Sequence, residues 1–279
     1  MESETIKCKT VTPLLLTGAD GRTPELRPPS IKGMMRFWWR AVNGHLSLEE
    51  LKKQESELFG TSNEKIGQSR IRIRIQDEKL KQNNYFLLPH RDAACVNCIS
   101  PDQNISIILS SYSNIQVYIN ILNLCLILGG FGKRSRRGFG SLEPENVNLK
   151  IEDIFELITR VGSSEYEMKD DKIFLNNNFV SKCQYPFLKE VIFGGEYAYW
   201  KEVLESIGKA SSKCCNHSLG SVSSWNANTY RLASPVYVSV LKNSDGRYFP
   251  IISTLNTVFK DPAKRVNYSI QDDFKVMIL

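Results

Sequence analysis

The chain has 279 residues and a mass of 31.8 kDa, long for one small domain, and its length predicts two. Hydrophobic residues make up 42% and charged residues 24%, ordinary globular usage that excludes a disordered or fibrous protein. The net charge of +6 is uneven, since residues 1–144 hold 20 basic and 14 acidic residues whereas residues 145–279 hold 16 of each, which points to a polyanionic partner for the first half or to an uneven but idle surface.

The opening Met1-Glu2-Ser3-Glu4 lacks the basic-then-apolar order of a secretory signal, so a cytoplasmic protein is expected. A first strand is expected over residues 5–16. A turn-rich segment follows and ends in Arg27-Pro28-Pro29-Ser30, where Pro29 and a capping Ser30 predict a helix from Ile31. On a 3.6-residue period Ile31, Met34, Met35, Trp38 and Val42 share an apolar face, and Lys32, Arg36, Trp39, Arg40 and Asn43 share the opposite one. Gly44 ends this helix, and a second amphipathic helix is expected over residues 48–59.

Arg70 to Ile75 alternates strictly between Arg and Ile, the pattern of a half-buried strand whose outer face is basic. A further strand is expected over 105–109 and a helix over 115–128, stopped by Gly129-Gly130. The longest uncharged stretch, Gln103 to Gly132, is interrupted by Asn114, Gln116, Asn120 and Asn123, so it does not supply a membrane span. A short strand after Phe139 completes a β-α-β-β-α-β order, the ferredoxin-like unit, with the helix at 48–59 as an addition.

In the second half, helices are expected over 151–161 and 197–209, the latter burying Trp200, Val203, Leu204 and Ile207. Residues 162–184 are polar and suit an inter-domain linker, and residues 211–228 are rich in Ser, Asn and Gly and suit a mobile loop. Residues 235–242 and 247–253 flank Asn243-Ser244-Asp245-Gly246 and predict a hairpin. The expected fold is α+β, with domains 1–145 and 146–279, the second a degenerate version of the first.

Seven cysteines, an odd count, suggest reduced thiols: Cys8, Cys95, Cys98, Cys125, Cys183, Cys214 and Cys215. Cys95-Val96-Asn97-Cys98 has zinc-knuckle spacing, but a structural site needs a second pair, and adjacent Cys214 and Cys215 with His217 make a poor chelate. Thiols in a loop are the simpler reading, and neither a metal nor a cofactor is expected.

The most informative segment is Gly129-Gly130-Phe131-Gly132-Lys133-Arg134-Ser135-Arg136-Arg137-Gly138-Phe139-Gly140. Its five glycines allow close backbone approach, and four of five consecutive residues are basic. It is not a Walker A loop, because Gly132-Lys133 precedes Arg134 where Ser or Thr is required, nor a dinucleotide fingerprint, which needs a preceding strand. It follows a helix C-terminus, whose dipole repels phosphate. An anion held here must therefore be held by the side chains of Lys133, Arg134, Arg136 and Arg137, which favours a polymer over a mononucleotide. A solvated basic turn is the alternative. Arg137-Gly138-Phe139-Gly140 opens like the RNP1 motif, which Ser141-Leu142 then breaks.

Together with Arg27-Pro-Pro-Ser-Ile-Lys-Gly-Met-Met-Arg-Phe-Trp-Trp-Arg-Ala41, this loop resembles the RAMP superfamily of CRISPR systems, specifically the first-numbered RAMP subunit of type III-B (Cmr) effector complexes. Arg231-Leu232-Ala233-Ser234-Pro235 resembles the start of a strand in the family's second domain. The resemblance implies two ferredoxin-like (RRM-like) RAMP domains in tandem that bind single-stranded RNA, guide or target. It further implies a place near the guide's 3′ region in antiviral defence, beside other RAMP subunits and without nuclease activity.

The residues themselves suggest a three-part RNA surface: the loop cations, Lys32, Arg36 and Arg40 beside Trp39, and Arg70, Arg72 and Arg74 on the strand. Trp39 is the candidate for base stacking, with a core role as its alternative. The arginine strand has the alternative of a charged edge that blocks aggregation. A metal-independent ribonuclease would need a general base and acid, often His. Of His45, His90 and His217, only His45, just after the first helix, is placed to be tested, and no catalysis is expected. A subunit with protein contacts only is the third reading.

Overall fold

A computed structural model describes residues 1–61, 67–77, 79–91, 93–145, 150–162, 165–176, 179, 185–225, 228–258 and 265–279. Cys183 and parts of the expected linker lie outside the described residues. The first unit comprises β1 (Glu2–Thr10), α1 (Pro28–Val42), α2 (Leu48–Phe59), β2 (Ile71–Asp77), β3 (Gln82–Leu88), β4 (Ala93–Ile99), β5 (Asn104–Ser111), α3 (Ile115–Leu128) and β6 (Leu142–Pro144). Its sheet is antiparallel in the order β2-β5-β1-β6. This is the expected β-α-β-β-α-β connectivity with two additions, helix α2 and the hairpin β3-β4.

Alternation decides which face of this sheet is covered. Ile71, Ile73 and Ile75 of β2, Ile105, Ile107 and Leu109 of β5, and Ile6 and Cys8 of β1 all point to one side. There they meet Ile31, Met35, Trp38 and Val42 of α1 and Tyr118, Ile121, Leu122 and Cys125 of α3. Burying each such side chain contributes about 1.5–3 kcal/mol. Helix α1 starts three residues earlier than expected, with Arg27 as its N-cap. Pro28 and Pro29 begin the helix because its first turn requires no N–H partner and proline's fixed φ suits it.

The second unit comprises α4 (Ile151–Val161), β7 (Tyr166–Lys169), β8 (Lys172–Leu175), β9 (Leu188–Phe193), α5 (Trp200–Lys213), β10 (Ser221–Trp225), β11 (Asn228–Leu232), β12 (Val236–Lys242), β13 (Tyr248–Leu255) and α6 (Tyr268–Val276). Two polar segments therefore hold structure. The expected linker contains the hairpin β7-β8, and the expected mobile loop contains the end of α5 and strand β10, which pairs with β11 beyond it. The five-stranded sheet runs β12-β13-β9-β8-β7. Within it, β9-α5-β12-β13-α6 repeats the first unit's order as far as its second helix, and β8 lies antiparallel beside β9, where β6 lies beside β1 in the first unit. The expected hairpin is β12-β13, its turn tied by Asn243 Oδ1 accepting from the N–H groups of Asp245 and Arg247.

One core runs through both units. Both faces of β12 are buried: Val236, Val238 and Val240 meet Val203, Leu204 and Ile207 of α5, while Tyr237 and Leu241 join the first unit's core. Trp38, 0% exposed, packs edge-on against Tyr237 at 5.3 Å and against Phe37 at 5.4 Å. The tip of β3-β4 reaches α5, where a Cβ placed on Gly208 would come within 2.3 Å of His90 Nδ1. No helix among the described residues is long and apolar enough to cross a membrane. Trp38→Ala should cost about 3–5 kcal/mol in a urea titration, because it empties a site enclosed by both units. A midpoint unchanged from the parent would mean that the two units do not share this core.

Candidate nucleic-acid interface

Helix α1 does not present its polar face to solvent, because the added helix α2 covers it. Ser47 and Glu50 form a capping box that starts α2, whose inner stripe is Leu51, Glu55 and Phe59. Glu55 is 6% exposed and accepts from Arg36 Nε at 2.6 Å and from Arg40 Nη1. Arg40 also donates to the Tyr185 hydroxyl and stacks on that ring at 5.5 Å. Trp39, 4% exposed, is a core residue, so the expected stacking platform is absent. Lys32 is half-buried, and burial followed by the Arg36 charge holds its pKa below the ordinary lysine value.

The glycine-rich loop is likewise turned inward. Gly132 has φ +85°, and a Cβ there would sit 2.2 Å from the Leu15 carbonyl; Gly140 has φ +68°, with the Phe131 carbonyl at 2.0 Å. Only glycine fits these two positions without strain. Much of the loop's backbone is bonded internally: the N–H groups of Phe131, Lys133, Gly138 and Gly140 donate to the carbonyls of Gly140, Leu15, Val238 and Pro13. Those donors are unavailable to a phosphate. Gly132 and Gly140 thus serve close packing within the first unit, and Gly138 serves packing against α5 and β12.

Two of the four loop cations share that role. Arg137 donates through Nη1 to the carbonyls of Arg136 and Val236 at 2.8 and 3.0 Å. Its Nη2 donates to the Leu219 carbonyl and the Ser234 hydroxyl, both at 3.1 Å, and the guanidinium stacks 4.9 Å from the Phe274 ring centre. Burial, with smaller contributions from the Arg134 and Arg136 charges, pushes its pKa down to about 10, so it stays charged at neutral pH. Arg136 donates to the Ser234 carbonyl and lies between the rings of Phe37 and Tyr237, at 5.3 and 5.5 Å. The expectation that all four cations face an RNA is therefore corrected: Arg136 and Arg137 fasten the first unit to the second. Arg134 adopts φ +60° and lies over Phe139 at 5.9 Å, while Lys133 is exposed.

The arginine strand divides. Arg72 and Arg74 are exposed on the uncovered face of the first sheet. Arg70 instead lines a cleft of about 620 Å³ between α2 and the start of α3, with Trp39, Lys53, Glu57 and Tyr118. The histidines stand on three separate parts of the fold: His45 between α1 and α2, His90 at the β3-β4 tip, and His217 in a short 3-10 turn, Nε2 3.3 Å from the Arg265 carbonyl. Cys95 and Cys98 sit on β4 and not in a loop; Cys95 is exposed and Cys98 buried, so they do not form a chelating pair.

Sequence reasoning missed Glu55, Tyr185, Ser234 and Phe274, the partners that turn the arginines inward. One signal was present: a carboxylate at the centre of the Leu51-Glu55-Phe59 stripe requires a buried partner.

These features define a mixed α/β protein with antiparallel sheets, whose first sheet keeps Arg72 and Arg74 in solvent. Residues 7–143 match the family model of the RAMP superfamily, and this first unit belongs to that superfamily. It is 39% identical over 79 residues to CRISPR system Cmr subunit Cmr1-2 of Pyrococcus furiosus, covering 27% of this chain and 41% of that protein. It is 29% identical over 167 residues to Cmr1-1 of the same organism, covering 53% and 48%. The matches thus span less than half the length of either relative. The fold is similar to the crystal structure of apo Cmr1 from Pyrococcus furiosus, with TM-score 0.64 and 21% identity, covering 100% of this chain and 96% of that one. It is also similar to a chain in a cryo-EM structure of type III-B Cmr-beta bound to cognate target RNA and AMPPnP in the presence of ssDNA, with TM-score 0.65 and 12% identity, covering 98% of each.

Arg137→Ala should destabilise the full chain by about 1.5–3 kcal/mol, since it strips a charged donor from buried acceptors. Arg137→Lys should recover only part of this, because an ammonium lacks the planar fork. Equal urea midpoints for the parent and the Ala variant would remove Arg137 from this fastening role.

Proposed function

We propose that the chain is a non-catalytic, single-stranded-RNA-binding subunit of a type III-B CRISPR effector in the cytoplasm, built from two ferredoxin-like RAMP domains. It acts near the 3′ region of the guide RNA in antiviral defence, beside other RAMP subunits. The observation that carries this reading is the set of cations left in solvent on a RAMP-family unit: Lys133 at the loop, and Arg72 and Arg74 on β2. The similarity to subunits named Cmr1, and to a chain of a complex solved with cognate target RNA, supports it. A non-catalytic role is favoured because His45, His90 and His217 stand on separate parts of the fold, whereas acid–base cleavage requires two groups at one phosphate.

The test uses labelled single-stranded RNA and purified full-length protein, with and without EDTA, at three salt concentrations. Gel shift and strand integrity are scored on the same samples. The expected outcome is a shift with intact RNA, whose log–log dependence on salt has a slope of about −0.7 per phosphate engaged. His45→Ala should behave as the parent. No shift at about 50 mM salt would overturn the binding role. Cleavage that survives EDTA and disappears in His45→Ala would make the protein a processing nuclease.

A further inference from the structure

The uncovered face of the first sheet has a composition that the fold itself does not require. The registers place Arg72, Ser110 and Ser3 in one row, Arg74, Ile108 and Thr5 in the next, and Gln76, Ser106 and Lys7 in a third, across β2, β5 and β1. Lys7, Arg72 and Arg74 are all exposed, and none takes part in an ion pair among the described residues. Across β2, β5 and β1 these rows contain no carboxylate; Glu145, just past β6, donates its backbone N–H to the Lys7 carbonyl and stands at the edge of the face. Lys9, one step further along β1, is different: it pairs with Asp102 at 3.5 Å, beside Glu143 and Lys242, so its charge is already met. The result is a track of three cations outside any ion pair among the described residues, Lys7 with Glu145 at its side, on a floor of hydroxyl and amide groups and Ile108.

We propose that this face, centred on Lys7, Arg72 and Arg74, is the track for the RNA backbone and that it holds phosphates without reading bases. This assignment rests on the RNA-binding role proposed above and names the surface and the mode. Arg72 and Arg74 are two residues apart on one strand, about 6.7 Å along it, a separation comparable to that of successive phosphates in an extended strand. Lys7 lies two strands away, roughly 9–10 Å across the sheet, so the three cations form a broad patch that suits a chain crossing the strands. Base stacking on a sheet of this type needs exposed aromatic rings. The three rows carry none, and Tyr112, 78% exposed, lies beyond them past the end of β5. Contact within the rows is therefore with phosphate and sugar, which position a strand but carry no sequence information.

Two other readings of the face are weaker on its composition. A protein interface centres on a desolvated apolar patch; here Ile108 is the single apolar side chain in the three rows, whereas nucleic-acid interfaces are polar and positively charged. A charged guard against edge pairing explains Arg72 and Arg74, because β2 is an edge strand. It does not explain Lys7, which sits on the interior strand β1.

The test compares the parent chain with a triple variant, Lys7→Gln, Arg72→Gln and Arg74→Gln, and with a control that loses the same charge from α5, Lys201→Gln, Lys209→Gln and Lys213→Gln. All six side chains are exposed, and urea midpoints confirm that both variants are folded. The salt-slope magnitude should fall by about 2 in the sheet variant, at about 0.7 for each of three phosphates left unneutralised, and by much less in the control. Oligouridylate and oligoadenylate of equal length should bind the parent equally. If the parent binds RNA and the sheet variant keeps its slope, the track lies elsewhere and only this inference fails. If the parent binds no RNA, the functional reading itself fails. A strong preference for oligoadenylate would point to stacking and overturn the backbone-only mode. If poly-glutamate of matched charge displaces RNA from the parent as well as RNA does, the face is a docking site for an acidic protein.

Discussion

Two neighbouring guanidinium groups tie the first unit to the second above the core they share. Arg137 reaches three parts of the second unit at once: the turn ending in Leu219, the start of β12 at Ser234 and Val236, and the Phe274 ring of α6. Arg136 adds the Ser234 carbonyl and sits between Phe37 of α1 and Tyr237 of β12. Arginine suits this position because its planar fork serves several acceptors in one fixed geometry and its flat faces stack on rings. Leaving those acceptors unpaired away from water would be costly, so the contact is an all-or-none feature of the folded state.

Such a fastening needs the backbone of the loop to come against β12, and Gly138 follows from that need. The Gly138 N–H bonds the Val238 carbonyl at 2.9 Å, and a Cβ there would strike Leu204 and Ile207 of α5. Tyr237 returns a hydrogen bond to the Gly130 carbonyl, and Ser239 returns one to that of Ile127. The end of α3, the loop and β12 are thereby laced together. The same lacing places the inner end of the loop against protein and leaves Lys133 at its outer bend. The α1 face follows the same logic at smaller scale, where one buried carboxylate, Glu55, draws in Arg36 and Arg40.

Much of this fold was legible where a pattern had a clear period or a strong punctuation mark. The heptad-like stripe of α2, the Ile/Arg alternation of β2, the Gly129 stop of α3 and the Asn243–Gly246 turn each fixed an element close to its observed bounds. The misses have particular causes. The β7-β8 turn is Asp170-Asp171, both at positive φ (50° and 55°), and without a glycine it does not announce a tight hairpin. Strand β9, Leu188 to Phe193, sets Lys189 and Glu190 side by side and so lacks the polar alternation that marks a strand. The candidate site was less legible than the fold, since whether an arginine faces water depends on a partner distant in sequence. Tyr185 lies 145 residues from Arg40, and Ser234 lies 97 from Arg137.

Charge density in a sequence and charge offered to a ligand are consequently different quantities. The densest basic motifs of this chain, the loop and the α1 face, deliver most of their arginines to internal acceptors, because arginine is the cation best able to leave bulk water when several hydrogen bonds await it. The sparser pattern on β2 keeps its charge outside, and the reason is geometric: in a strand whose alternate residues are core isoleucines, the residues between them cannot reach the interior. Lys7 follows the same rule on β1, held outward because Ile6 and Cys8 on either side point into the core. Strict alternation against a buried face thus forecasts solvent-facing charge better than a run of basic residues does, and on that ground the open sheet carries more of the binding argument than the glycine-rich loop.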